Sequence, residues 1–112
     1  MMGRRLCFAL DLIDDAALIA AYEARHAPGA VWPVVIAHIR ATGVEAMEIW
    51  RTADRLVMIA EVAPDYPRAV AEPPEIADWE ALMWHFQKPL PHAGAGEKWV
   101  AMDRFFTLDG EP

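Results

Sequence analysis

One cysteine is all the chain offers. Cys7 has no possible partner within it, so an intrachain disulfide is excluded. Set in the apolar run 6–12, it reads as a small packed hydrophobe rather than a nucleophile. Positive charge is scarce too: 10 Lys and Arg stand against 17 Asp and Glu, a net charge of −7. A surface of that sign repels phosphate backbones and anionic lipid, which argues against nucleic acid and membrane as partners. Its plain meaning is solubility. No run approaches the roughly 20 apolar residues of a membrane span. Asp11, Asp14 and Asp15 interrupt the first apolar stretch too early for a signal peptide, so a cytoplasmic protein is expected. Also lacking are G-x-S-x-G, a P-loop and G-x-G-x-x-G; Gly94 and Gly96 come before a strand, not after one. His26, His38, His85 and His92 form no ligand pair at recognised spacing, so neither a metal nor a cofactor is expected.

What is present fits one globular domain over residues 1–112, 55% hydrophobic and 24% charged. A chain of this size buries a core of limited margin, and dimerisation would help it. Residues 5–13 alternate as a strand, with Leu6, Phe8, Leu10 and Leu12 on one side. Asp14 and Asp15 suit a helix N-terminus. Leu18, Ile19, Tyr22 and His26 follow at helical spacing, until Pro28-Gly29 breaks the pattern. Trp32-Pro33 opens a second helical piece that buries Val35, Ile36 and Ile39 and ends at Gly43. Residues 44–51 and 55–62 read as a hairpin about the polar stretch 52–54. A helix over about 75–87 carries the stripe Ile76, Trp79, Met83 and Phe86. A Pro- and Gly-rich loop then leads to a last strand over 98–108. The order β-α-β-β-α-β predicts an α+β, ferredoxin-like sandwich with helices on one sheet face. Residues 56–60 are apolar on both faces of their strand, so the other sheet face needs a cover. A second copy packed sheet to sheet would supply it, giving a homodimer of the dimeric α/β barrel kind.

Two groupings bear on chemistry. Tyr22 and His26, four apart, share one helical face that continues the stripe of Leu18. A histidine there can exchange a proton near neutral pH; equally, the pair can be a core tyrosine and a histidine bonded to a backbone carbonyl. The five tryptophans are many for 112 residues. Packing accounts for them, and so does a carbohydrate platform, in which an indole covers the C–H face of a sugar and its N–H bonds a hydroxyl.

Tyr22-Glu23-Ala24-Arg25-His26, Trp32-Pro33, Ile59-Ala60-Glu61-Val62, Trp79-Glu80-Ala81-Leu82-Met83 and Gly96-Glu97-Lys98-Trp99, leading to Arg104-Phe105-Phe106, resemble the L-rhamnose mutarotase family in order and spacing over nearly the whole chain. The resemblance implies a cofactor-free sugar 1-epimerase on a ferredoxin-like chain that dimerises through its sheets. It puts the family's acid/base histidine on His26, a pocket tyrosine on Tyr22 and a pocket tryptophan on Trp79. Glu80, Met47 and Trp99 complete the implied substrate-binding set. Two departures stand out: Met47 falls where rhamnose enzymes carry a second pocket tyrosine, and Trp79-Glu80 replaces paired tryptophans. The Gly-Glu-Lys-Trp ending resembles a branch associated with L-fucose. The expected activity is therefore interconversion of the α and β anomers of a 6-deoxy-L-sugar, L-rhamnose or L-fucose, by His-mediated ring opening and reclosure. Two other classes stay open: a non-catalytic sugar-binding module, and a ferredoxin-like dimer of the monooxygenase type acting on another small ligand.

Overall fold

The computed structural model describes residues 3–110. Its elements run β1 (Arg4–Leu12), α1 (Ala16–Ala24), α2 (Pro33–Ala41), β2 (Val44–Thr52), β3 (Arg55–Val62), α3 (Pro74–Trp84), β4 (Gln87–Lys88) and β5 (Val100–Ala101). The fold is α+β. Every strand pairing is antiparallel, in the order β2-β3-β1, and the far edge of β1 is shared by β4 and β5. Taken together those two short strands fill the fourth position of a ferredoxin-like sheet.

Local chemistry explains the boundaries. The Asp15 carboxylate accepts from the Leu18 N–H at 2.9 Å and so caps α1. Pro33 opens α2 at a position where its missing N–H costs nothing. Gly43, at φ +110, lets the chain reverse after α2, and its carbonyl accepts from the Ala63 N–H at 2.8 Å. Residues 53 and 54 close the hairpin between Thr52 and Arg55, which face each other in the ladder.

Register decides what each sheet face carries. Leu10 opposes Leu56 and Leu6 opposes Ala60. With Leu12 and Val62 they lie under the helices, where Leu10, Leu12, Leu56 and Val62 are almost wholly buried. A bulge between Val44 and Ala46 shifts β2 by one residue. Val44 and Met47 therefore share the helix-covered face although three apart, and Ile49 and Arg51 follow Met47 at the strand period. The opposite face presents Cys7, Ala9, Trp50, Val57, Ile59 and Val100. Ala9 is buried on it, Val57 and Ile59 are half-buried, and Trp50 is 61% exposed.

Two sequence expectations are corrected. The third helix ends at Trp84 rather than near residue 87, because a turn follows and Gln87 already belongs to the sheet. The Ile13 N–H donates to the Phe86 carbonyl at 2.8 Å, and Gln87 pairs with Leu12. The last strand is two residues long where 98–108 was expected. Val100 pairs with Ala9 and Ala101 with Phe8, and the Met102 N–H reaches the Cys7 carbonyl at 2.9 Å. Beyond that the chain leaves the ladder. Phe105 and Leu108 are 97% and 89% exposed. Alternation states which side chains would share a face, but a strand also needs an edge to pair with.

Candidate active site

The end of α1 sets the site. The Tyr22 and His26 rings meet at a tilt of 42°, with centroids 4.5 Å apart. The chain leaves the helix at Ala24, and the Nδ1 of His26 turns back to the Tyr22 carbonyl at 2.8 Å. A carbonyl only accepts, so Nδ1 carries the proton and the neutral imidazole presents Nε2 as its basic nitrogen. The bond that anchors the ring also selects its tautomer. Trp79 backs the pair edge-on, 5.9 Å from the His26 ring and 5.1 Å from Trp32.

In front of Tyr22 and His26 lies an open cleft of about 390 Å³, walled by Glu23, Val31, Met47, Ile49, Arg51 and Leu56. That size belongs to small-molecule sites, about 300–1,000 Å³. Its walls differ in character. Met47, Ile49, Val31 and Leu56 are apolar; His26, Glu23, Glu48 and Arg51 carry polar groups. Arg51 donates from Nε to the Glu23 carboxylate at 3.0 Å and from a terminal nitrogen to the Ala53 carbonyl at 2.8 Å. The pair fixes two charged side chains at the rim. A larger hollow, about 730 Å³, follows the open edge of β1 past Arg4, Arg5 and Glu61, but neither a histidine nor a tyrosine lines it.

The Tyr22 hydroxyl points into the core. It accepts from the Gln87 Nε2 at 3.2 Å. Burial pushes the phenol above its usual pKa, the Gln87 bond opposes this, and the Glu80 carboxylate adds to the rise. A phenol so held stays protonated at neutral pH.

Of the six residues singled out in the sequence, the fold brings Tyr22, His26 and Met47 to the cleft. Trp79 is 5% exposed and reaches the site only as the wall behind His26. Glu80 lies outside the cleft lining: its carboxylate meets Lys98 Nζ at 2.6 Å, and it acts on Tyr22 through its charge. Trp99 packs half-buried against the core cluster. Lys98 also lies 4.7 Å from the Trp84 ring centre. Sequence reasoning passed over Glu23, Arg51 and Gln87. For Arg51 a signal existed, since residues 47, 49 and 51 fall on one strand face. Gln87 carried none, because it was read as helix. Among the described residues no three of His, Cys, Asp and Glu gather as a metal site, and no helix is long and apolar enough to cross a membrane.

Comparison with known proteins gives consistent results. The family model for L-rhamnose mutarotase matches residues 5–108. The chain is 50% identical over 113 residues to an L-fucose mutarotase of Xanthomonas campestris pv. campestris, covering 96% of this chain and 90% of that one. A Dictyostelium discoideum protein of the UPF0734 group is 30% identical over 110 residues, 90% of this chain and 86% of its own. The crystal structure of an L-rhamnose mutarotase from Formosa agariphila superposes with a TM-score of 0.69 at 19% identity, over 94% of this chain and 98% of that one, and shows the shared fold.

Proposed function

The chain belongs to the L-rhamnose mutarotase family, isomerases that act on carbohydrates, and from that premise we propose that it interconverts the anomers of a 6-deoxy-L-sugar with His26 as the acid/base group. L-Fucose is the first sugar to test, because the relative at 50% identity is an L-fucose mutarotase; L-rhamnose is the second.

The observation that carries the reading is the anchored imidazole: His26 is held through Nδ1 on the Tyr22 carbonyl, beside the cleft. Ring opening removes the proton from the anomeric O1–H, forms the C1 carbonyl, breaks the bond from C1 to the ring oxygen and puts a proton on that oxygen. Rotation about C1–C2 and the reverse steps deliver the other anomer. One base that takes the O1 proton and returns it to the ring oxygen serves both directions, since O1 and the ring oxygen are bonded to the same carbon. Nε2 is the nitrogen left free for this. Tyr22 stays protonated, and the apolar pair Met47 and Ile49 suits the C6 methyl that a 6-deoxy sugar offers in place of a hydroxymethyl.

The bare apolar sheet face supports a homodimer closed sheet to sheet. Arg5 with Glu61 and Arg55 with Asp11 are opposite-charge pairs at the two ends of that face, leaving an apolar middle for a second copy.

Magnetisation-exchange NMR across L-fucose, L-rhamnose and D-sugars tests the reading. His26→Ala should lower anomer exchange by about a hundredfold or more, the scale of a lost general acid/base, with the melt little changed. His38, on α2, is outside the cleft lining, and His38→Ala should do far less. Near-wild-type turnover at saturating sugar in a folded His26→Ala protein would end the catalytic assignment.

A further inference from the structure

Ring opening needs more than a base. When the bond from C1 to the ring oxygen breaks, its electrons settle on that oxygen, and negative charge builds there until a proton arrives. A hydrogen-bond donor aimed at the developing charge stabilises such a step. The side chains around the cleft are poor in donors. His26 spends its Nδ1 proton on the Tyr22 carbonyl, and its other nitrogen is basic. The Tyr22 hydroxyl is turned away onto Gln87. Glu23 and Glu48 bring carboxylates, which accept and do not donate. The apolar walls offer nothing. Among the described side chains of the lining, Arg51 alone has N–H groups left to give.

Arg51 is also held in place. Its Nε donates to the Glu23 carboxylate at 3.0 Å, and a terminal nitrogen donates to the Ala53 carbonyl at 2.8 Å. A guanidinium has five N–H groups, so two are engaged and three remain. The anchors come from two elements: Glu23 from the end of α1, and Ala53 from the hairpin after β2. Ala53 takes φ +49, a left-handed conformation that residues other than glycine seldom adopt. Stability does not account for the ion pair. Its side chains are 32% and 55% exposed, and a pair so wetted adds little to the fold. What the two anchors do is fix the fork of the guanidinium. Arg51 enters the cleft from the sheet wall and His26 from the helix wall, so donor and base reach a bound sugar from different sides.

We infer that Arg51 is a second catalytic residue, whose free N–H groups donate to the ring oxygen of the sugar as the ring opens, with Glu23 as its positioning residue. This rests on the mutarotase reading of the same cleft and adds the group that holds the charge. The O1–H proton goes to Nε2 of His26, and the electron pair of that bond forms the C1 carbonyl. The pair between C1 and the ring oxygen goes to the ring oxygen, which stays bonded to Arg51 until Nε2–H delivers the proton. A guanidinium donates without giving up its own proton, so the acid/base exchange stays with His26.

The test is magnetisation exchange on L-fucose with the full-length protein. Arg51→Ala should lower turnover at saturating sugar by about tenfold or more, a smaller loss than for an enclosed oxyanion donor because water enters an open cleft. Its melt should stay close to that of the wild type. Guanidinium ion at millimolar concentration should restore part of the turnover lost in Arg51→Ala and none of that lost in His26→Ala. Glu23→Gln should cost less than Arg51→Ala and add nothing to it in the double variant, since Glu23 acts through Arg51. Arg51→Lys keeps the charge without the fork and should reach only part of wild-type turnover; it decides the question if Arg51→Ala does not fold. Wild-type turnover in Arg51→Ala or Arg51→Lys overturns the assignment. So does a rise in KM alone, which makes Arg51 a binding group only. A loss in Arg51→Ala that guanidinium leaves untouched makes the role structural and overturns it too. If the wild type exchanges neither L-fucose nor L-rhamnose, the mutarotase reading itself fails, and that outcome is separate from the others.

Discussion

The two faces of the sheet are built from the same kind of residue and end in opposite states. Under the helices, Leu10 and Leu56 face each other and are almost completely buried, with Tyr22, Trp79 and Met83 packed above. On the reverse, Ala9 faces Val57 and Cys7 faces Ile59 one position along the same strands, yet Val57 and Ile59 are only half-buried and Trp50 lies open. Composition does not separate the faces; what covers them does. The helix-covered face can hold a polar site because its packing is finished within one chain, and His26 and Tyr22 stand on that packing. The reverse face is apolar toward the β2 edge and carries no site, which is why the proposed second copy is placed there.

The sharpest contrast should come from paired truncations. Leu56→Ala on the covered face empties a filled position and should destabilise by about 2–5 kcal/mol. Val57→Ala, its neighbour on the bare face, should cost well under half of that in dilute solution, about 1 kcal/mol or less. Melts run over a range of protein concentrations also test the dimer. If a second copy covers Val57, its penalty grows with concentration while that of Leu56→Ala does not. Equal penalties for both at every concentration would remove the distinction between the faces.

How much of this was legible in the sequence follows the same line. The covered face was readable because its signals are local: alternation in residues 5–13, helical spacing through Tyr22 and His26, and Pro33 and Gly43 at the ends of α2. The bare face was readable as an apolar surplus in residues 56–60. Two things were not local. The splitting of the fourth strand into Gln87–Lys88 and Val100–Ala101 depends on where β1 has free edge, which periodicity does not encode. The placing of Gln87 depended on that split, so a buried amide beside Tyr22 was hidden inside an assumed helix. Glu80 and Trp99 lie outside the cleft lining, because a motif matched along the chain fixes a residue's place in the sequence and leaves its neighbours in space to the fold.

A charge on the bare face should break the proposed dimer. Trp50→Glu puts a carboxylate where the indole stands 61% exposed, opposite Val57 in the ladder. An aromatic anchor covered by a partner is commonly worth about 2 kcal/mol or more, so dissociation should strengthen by about thirtyfold or more. Sedimentation velocity at micromolar protein reads this directly. A wild-type chain that sediments as a stable monomer refutes the dimer, and Trp50→Glu would then leave sedimentation unchanged.

The smallest expected effect lies at the join between packing and site, in Tyr22. Its folded pKa is raised above the ordinary 10.0, first by burial, with Glu80 adding to it and Gln87 opposing. A raised folded pKa means that the native state holds this proton more tightly than the unfolded chain does. The contribution is fully present below pH 10 and is lost as pH rises through the folded value. Tyr22→Phe removes the titration and leaves the Gln87 amide with both ends unpaired. At neutral pH it should therefore cost about 1 kcal/mol, the typical net worth of one hydrogen bond plus a stranded partner. Above pH 10 the gap between variant and wild type should narrow, because only the wild type still has a phenol to ionise. The bare face holds no tyrosine in this position, so Trp50→Phe, its control, should show a gap independent of alkaline pH. Melts of the three proteins from pH 7 to 11 check this. A Tyr22→Phe gap that stays constant, or widens, would mean that the phenol is not held protonated by its surroundings, and that its role beside His26 has to be argued on the ring alone.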